Sequence, residues 1–135
     1  MKNKKIAIDT NVLIYTRDRA DSSKYRKALD ILDMAPVVSS QVALEYMNVV
    51  RRLFKITKKE CMSVCLSDIE DCAFHPVAFS TLRLAESLVI SYDFQLFDSI
   101  VVASALETDC KILYSEDFQH GQIIEKQLKI VNPFL

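Results

Sequence analysis

Apolar residues along this chain follow two rhythms, short unbroken runs and helical spacings, and the two alternate from end to end. Lys4 to Ile8 reads as a short strand running into Asp9. Residues 11–18 start a helix that Asn11 or Thr10 can cap. Residues 22–34 carry Tyr25, Ala28, Leu29, Ile31 and Leu32 at helical spacing behind Ser22 or Ser23 as a cap. Pro36 ends that helix, and Val37–Val38 begins a second strand. From Gln41 to Phe54, Val42, Leu44, Tyr46, Met47, Val49, Val50, Leu53 and Phe54 predict a long helix. Thr57 followed by Glu60 has the capping-box pattern and predicts another. His75–Val77 is a candidate short strand, residues 80–91 and 95–108 are two further helices, and Lys111–Tyr114 and Leu128–Val131 are strands. Strands that alternate with helices through short connections predict an α/β fold with a mainly parallel sheet.

Composition narrows this picture mostly by exclusion. The 135 residues, without repeat, low-complexity segment or linker-like stretch, predict one domain over 1–135. Half the residues are hydrophobic and 26% are charged, as in ordinary globular proteins. No apolar run reaches the roughly 18 residues that suggest a membrane span. The basic start meets Asp9 before a long apolar region forms, a poor export signal that predicts a cytoplasmic protein with no membrane association. Gly121 is the single glycine, so neither a phosphate-cradling P-loop nor a dinucleotide fingerprint can be present. Cys61, Cys65, Cys72 and Cys110 form no CxxC pair and lack a histidine at zinc spacing, so they read as reduced, mostly buried thiols. His75 and His120 read as structural.

Four acidic positions change the picture, the last of them offered by either Glu116 or Asp117. In open α/β sheets, ligands sit beyond the carboxyl ends of the strands. Asp9 follows the first strand, and Glu116 and Asp117 follow the strand ending at Tyr114. Glu45 lies in the helix after the second strand, and Asp98 lies near the start of the helix QLFDSIVVASALE among Leu96, Phe97, Ile100, Val101 and Val102. Asp9, with Thr10 or Asn11 able to cap the next helix, is free to face a site. Glu45 and Asn48, three apart, share a helical face. Two carboxylates about 4 Å apart repel by roughly 4 kcal/mol at an effective dielectric near 20. Hard divalent cations remove that conflict, and Mg²⁺ or Mn²⁺ suits oxygen ligands. Two such ions about 3.5–4 Å apart can activate a water and steady the leaving oxygen of a phosphodiester. Without those four among its 18 acids, the 17 bases leave the rest of the chain at +3. The bases gather as Arg17, Arg19, Lys24, Arg26 and Lys27, then as Arg51, Arg52, Lys55, Lys58 and Lys59. A basic surface around an acidic pocket suits a polyanion held by its backbone.

These residues resemble a known family. IAIDTNVLIY is similar to the opening motif of PIN-domain proteins, and SSQVALEYMNV to their second motif, a glutamate followed three residues later by asparagine. FDSIVVASALETDCKILYSEDFQHG resembles the third acid on its helix, then the closing strand and terminal acidic turn. The resemblance spans essentially the whole chain and is closest to the VapC-type toxins of toxin–antitoxin pairs. It implies a three-layer α/β/α fold and Mg²⁺- or Mn²⁺-dependent endoribonuclease activity on RNA. It also implies a homodimer and a small antitoxin partner. By motif position it makes Asp9, Glu45, Asp98 and Asp117 the metal-site acids. Thr10, Asn11, Asn48 and Ser115 become helpers, and Glu116 an auxiliary or exposed acid.

Two other classes compete. A non-catalytic PIN-like module would hold RNA or a partner without cutting, but such relatives most simply arise by loss of an acid, and all four are present. A phosphatase of the haloacid dehalogenase type also opens on a strand and an aspartate, yet it wants a second acid two residues later, where this chain has Asn11.

Overall fold

A computed structural model describes residues 5–135. Its first strand, β1 (Ile6–Ile8), is an apolar triplet with every residue buried. Consecutive strand residues point to opposite faces, so a fully buried triplet means both faces of the sheet are covered. β2 (Val37–Ser39) is buried in the same way. The remaining strands are β3 (Ala73–His75), β4 (Ile112–Tyr114), β5 (Ile123–Ile124) and β6 (Leu128–Val131). The sheet order is β3-β2-β1-β4-β6-β5, parallel everywhere except between β5 and β6. Helices flank it: α1 (Thr10–Tyr15), α2 (Ser22–Leu32), α3 (Ser40–Phe54), α4 (Lys58–Ile69), α5 (Phe79–Tyr92) and α6 (Leu96–Glu107). The α/β/α arrangement matches the architecture expected from the alternating pattern. Ser99–Leu106 of α6 is buried throughout, and this helix forms much of the core. No single described helix is long and apolar enough to cross a membrane.

The topology places the site. β1 pairs with β2 on one side and β4 on the other, with Ile8 opposite Tyr114. Chain direction away from β1 diverges there, which opens a crevice beyond the strand ends. Asp9 and Ser115, the next residues after β1 and β4, both emerge into it.

Several expectations need correction. Lys4, the expected start of the first strand, lies outside the described residues. The helix expected over 11–18 runs only from Thr10 to Tyr15, and its cap is Asp9, not Thr10 or Asn11. α2 is capped by Asp21, whose carboxylate accepts from Lys24 N at 3.2 Å, while Ser22 and Ser23 are already helical. The strand expected at His75–Val77 is Ala73–His75, because Pro76 has no N–H to donate to a ladder. β5 was not anticipated. It returns antiparallel to β6 through a turn whose central residues, Glu125 and Lys126, both have positive φ, with Gln127 N donating to Ile124 O at 3.0 Å. Such turns usually carry Asn or Gly there, and this one has neither. The capping box at Thr57 and Glu60 forms as expected, at 3.1 and 3.3 Å. All four cysteines are free, and burial pushes the Cys65 thiol up to about 12 and Cys72 up to about 11, which keeps both as unreactive thiols.

Candidate metal centre

Asp9 sits where β1 ends, buried at 4% exposure. Its two oxygens have separate partners. Oδ1 accepts from Thr10 N at 2.8 Å, and Oδ2 accepts from the Ser115 hydroxyl at 2.7 Å. Asp9 was expected to be free of capping; instead one oxygen is committed to the helix start, because the first turn of α1 leaves N–H groups without partners. Thr10 extends the network, since its hydroxyl donates to Glu45 Oε2 at 2.9 Å. Glu45 Oε1 accepts from Gln41 Nε2 at 2.7 Å, one helical turn earlier in α3. Ser115 is the hub on the β4 side, where its Oγ accepts from Asp117 N at 3.1 Å and from Asn11 Nδ2 at 3.3 Å. Asn11 Nδ2 also donates to Asp117 Oδ2 at 3.2 Å, and its Oδ1 accepts from Glu116 N at 3.4 Å. Thr10, Asn11 and Ser115 thus hold three acids from β1, α3 and the segment after β4 in one hydrogen-bonded group.

Asp98 joins this group through charge alone. It lies in the first turn of α6, half-buried, with no side-chain hydrogen bond among the described residues. Burial raises its carboxyl from the usual range, and Asp117 and Glu45 raise it further. Asp9 is pushed from 3.8 up to about 6, mainly by burial; Ser115 and Thr10 oppose the rise, while Asp117 and Asp98 add to it. No Lys, Arg or His among the described residues forms a salt bridge to Asp9, Glu45, Asp98 or Asp117. Such a set of oxygen donors fits a hard divalent cation in chemistry. It is not closed around one: among the described residues no three acidic, histidine or cysteine side chains are already gathered as ligands. Several of the oxygens face protein donors instead, and a cation would have to draw them inward.

The other expected residues separate. Glu116 turns away from the cluster. Its carboxylate accepts from the Tyr15 hydroxyl at 2.8 Å and lies 3.5 Å from Lys24 Nζ, whereas Asp117 is the neighbour that raises Asp9 and Asp98. Asn48 is exposed and makes no side-chain hydrogen bond to Glu45 among the described residues; it lines a shallow depression with Met47, Arg51, Lys58, Cys61 and Met62 instead. Asn48 keeps to the helical face of Glu45 but lies one turn farther along α3, at the solvent-exposed surface and outside the group that Thr10 and Gln41 form with Glu45. His75 pairs with Glu107 at 3.2 Å and His120 accepts from Asn132 N at 3.0 Å, both remote from the acids in hydrogen bonding. Gln41 and Tyr15 were not anticipated. The four-residue step from Gln41 to Glu45 is a readable helical pair, whereas Tyr15 has no local signal.

The two basic stretches also differ. Arg17 is spent on Asp68 and Tyr46, and Lys24 on Glu116 and Tyr15. Arg51, Arg52, Lys55, Lys58 and Lys59 are exposed where α3 passes into α4 and form no salt bridge among the described residues.

A family model described as PIN domain matches residues 6–125. Three solved structures are similar over most of the chain. A toxin–antitoxin complex from Klebsiella pneumoniae has a TM-score of 0.71 at 18% identity, covering 96% of this chain and 98% of that one. The Mycobacterium tuberculosis protein VapC20, titled a Sarcin-Ricin loop cleaving toxin, has a TM-score of 0.65 at 14% identity, covering 84% and 90%. VapBC2 from Rickettsia felis, bound to a DNA fragment from its promoter, has a TM-score of 0.65 at 17% identity, covering 94% and 98%. No curated protein matches the chain by sequence.

Proposed function

Because the chain belongs to the PIN-domain family, we propose that it is a Mg²⁺- or Mn²⁺-dependent endoribonuclease and the toxin of a toxin–antitoxin pair. One observation carries this reading: Asp9, Glu45, Asp98 and Asp117 draw together beyond β1 and β4 with no cation among the described residues paired to any of them. Those four acids would hold the metal. A bound divalent ion supplies Lewis acidity and offsets the negative charge of a phosphodiester.

The side chains have distinct tasks in this reading. Ser115 and the Thr10 amide fix the direction of the Asp9 carboxylate, and the Thr10 hydroxyl and Gln41 fix Glu45. Asn11 orients Asp117. Asp98, with no side-chain hydrogen bond among the described residues, has both carboxylate oxygens free for an incoming ligand. Burial holds the Asp9 carboxyl up at about 6, so below that pH a divalent ion held there would compete with a proton for this carboxylate. Arg51, Arg52, Lys55, Lys58 and Lys59 supply sequence-independent attraction for an RNA backbone. Similarity to toxin–antitoxin complexes supports an antitoxin partner, the family resemblance supports a homodimer, and such a ribonuclease would act in the cytoplasm.

The open arrangement of the acids favours a second reading, a non-catalytic PIN-like module that binds RNA or a partner. One experiment separates them. Total RNA is incubated with purified protein in manganese, in EDTA, and with Asp98→Asn in manganese. Cleavage by wild-type protein in manganese alone supports the nuclease. Cleavage that persists in EDTA or in Asp98→Asn overturns the metal mechanism, and no cleavage in any arm leaves the binding module.

A further inference from the structure

Asp117 is the one acid of the four that lies neither in a helix nor at a helix cap. It is exposed, it lies on an irregular segment after β4, and it faces Asp9 and Asp98, both of like charge. Asn11 at 3.2 Å is its single side-chain hydrogen bond among the described residues. Ser115 Oγ holds the Asp117 N–H at 3.1 Å and Asn11 Oδ1 the Glu116 N–H at 3.4 Å, and an exposed carboxylate on such a segment needs further anchors to keep from swinging outward.

Both of its sequence neighbours are tied down. Glu116 accepts from the Tyr15 hydroxyl at 2.8 Å, and Lys24 Nζ reaches that hydroxyl at 3.0 Å and Glu116 Oε2 at 3.5 Å. Behind this group, the Tyr15 ring meets Phe134 edge-on with centroids 4.7 Å apart, and Lys24 Nζ lies 4.6 Å from the Tyr15 centroid. On its other neighbour, Phe118 meets the Phe94 ring edge-on at 5.6 Å and 89°. Phe94 stacks in turn on Tyr92 at 5.4 Å, and the Tyr92 hydroxyl donates to Glu125 Oε2 at 3.0 Å. Each anchor ends on an element that carries another acid. Tyr15 closes α1, whose cap is Asp9; Phe94 immediately precedes Gln95, the cap of α6, whose first turn carries Asp98.

We propose that Glu116 and Phe118 are positioning residues for Asp117, fastening its turn to the helices of Asp9 and Asp98 and so opposing the repulsion among the three acids. The inference rests on the reading of these acids as a metal centre. Neither neighbour touches the metal or the RNA; both act through the backbone of the acid between them.

The test uses the full chain with Mn²⁺ alone as the probe, its affinity read by electron paramagnetic resonance, beside amide hydrogen exchange of residues 116–118 in EDTA. Removing side chains that orient a metal ligand typically costs at least roughly 10-fold in affinity. Glu116→Ala and Phe118→Ala are each expected to weaken Mn²⁺ binding about that much and to speed exchange in the turn. Phe118→Tyr, which keeps the ring contact, is expected to stay near wild type in both readouts. Should Phe118→Ala fail to fold, Glu116→Ala and Tyr15→Phe carry the test, the latter removing one hydroxyl while keeping the ring on Phe134. Wild-type affinity in Glu116→Ala and Phe118→Ala, beside weakened binding in Asp117→Asn, overturns the positioning role and leaves the metal centre intact. Unchanged binding in Asp117→Asn overturns both.

Discussion

Asp9→Asn should make the metal-free protein more stable at neutral pH, although it removes the most deeply buried of the acids. Burial, with Asp117 and Asp98 adding to it, raises the Asp9 carboxyl from 3.8 to about 6. A shift of about 2 units is roughly 3 kcal/mol between protonated and charged forms. At 4% exposure solvent does little to reduce that figure. The sign follows from the direction of the shift. A carboxyl raised in the folded state gives stability that is fully present below about pH 3.8 and is lost as pH rises through about 6. Asparagine is neutral throughout and escapes that loss. It also disturbs the bond from the Ser115 hydroxyl, because its amide presents a donor where the carboxylate accepted, and that costs about 1 kcal/mol. The variant should therefore be about 1 kcal/mol weaker than wild type at about pH 3 or below and about 2 kcal/mol stronger at about pH 7.5. The two curves should cross near about pH 4.5. For a chain of this length the neutral-pH gain is roughly 6–10 °C in Tm. Urea unfolding in EDTA across that pH range measures it. A variant less stable than wild type at neutral pH, or an offset that does not change with pH, would refute the reasoning. Saturating manganese should reverse the order, because wild type then gains binding energy that the variant has lost.

Two further predictions concern the frame around the site. Tyr46→Phe removes a hydroxyl that donates to Asp68 at 2.6 Å and accepts from Arg17 Nε at 3.0 Å, joining α3 and α4 to the segment just after α1. Bonds to charged groups contribute about 1.5–3 kcal/mol, so urea unfolding should show a loss in that range; a loss below about 0.5 kcal/mol would mean Arg17 and Asp68 hold these helices unaided. Thr57→Ala opens the capping box of α4 and should cost about 1 kcal/mol by the same measurement, with no change in manganese affinity because Thr57 is remote from the acids in hydrogen bonding.

The order and type of nearly every element were legible in the chain, because hydrophobic periodicity is local and an apolar run such as IAI or VVS is buried on both faces wherever its sheet forms. The candidate acids could be named from position, since Asp9, Glu116 and Asp117 follow strands and Glu45 and Asp98 lie in the first two turns of their helices; the choice of Asp117 over Glu116 came from the family resemblance. The meeting of the acids was not legible. It depends on β1 lying between β2 and β4, a pairing between residues about a hundred positions apart that no local pattern encodes. The roles of Glu116 and Asn48 were likewise decided in three dimensions. Side-chain direction put Glu116 against Tyr15 and Lys24, and Asn48, although on the helical face of Glu45, opens to solvent one turn farther along α3. β5 escaped notice because its turn uses Glu125 and Lys126 at positive φ, a backbone that these residues adopt only when β6 supplies the pairing. Sequence therefore determined which groups could do the chemistry. Only the fold decided which of them stand close enough to feel one another's charge, since Coulomb energy depends on distance in space and not on separation along the chain.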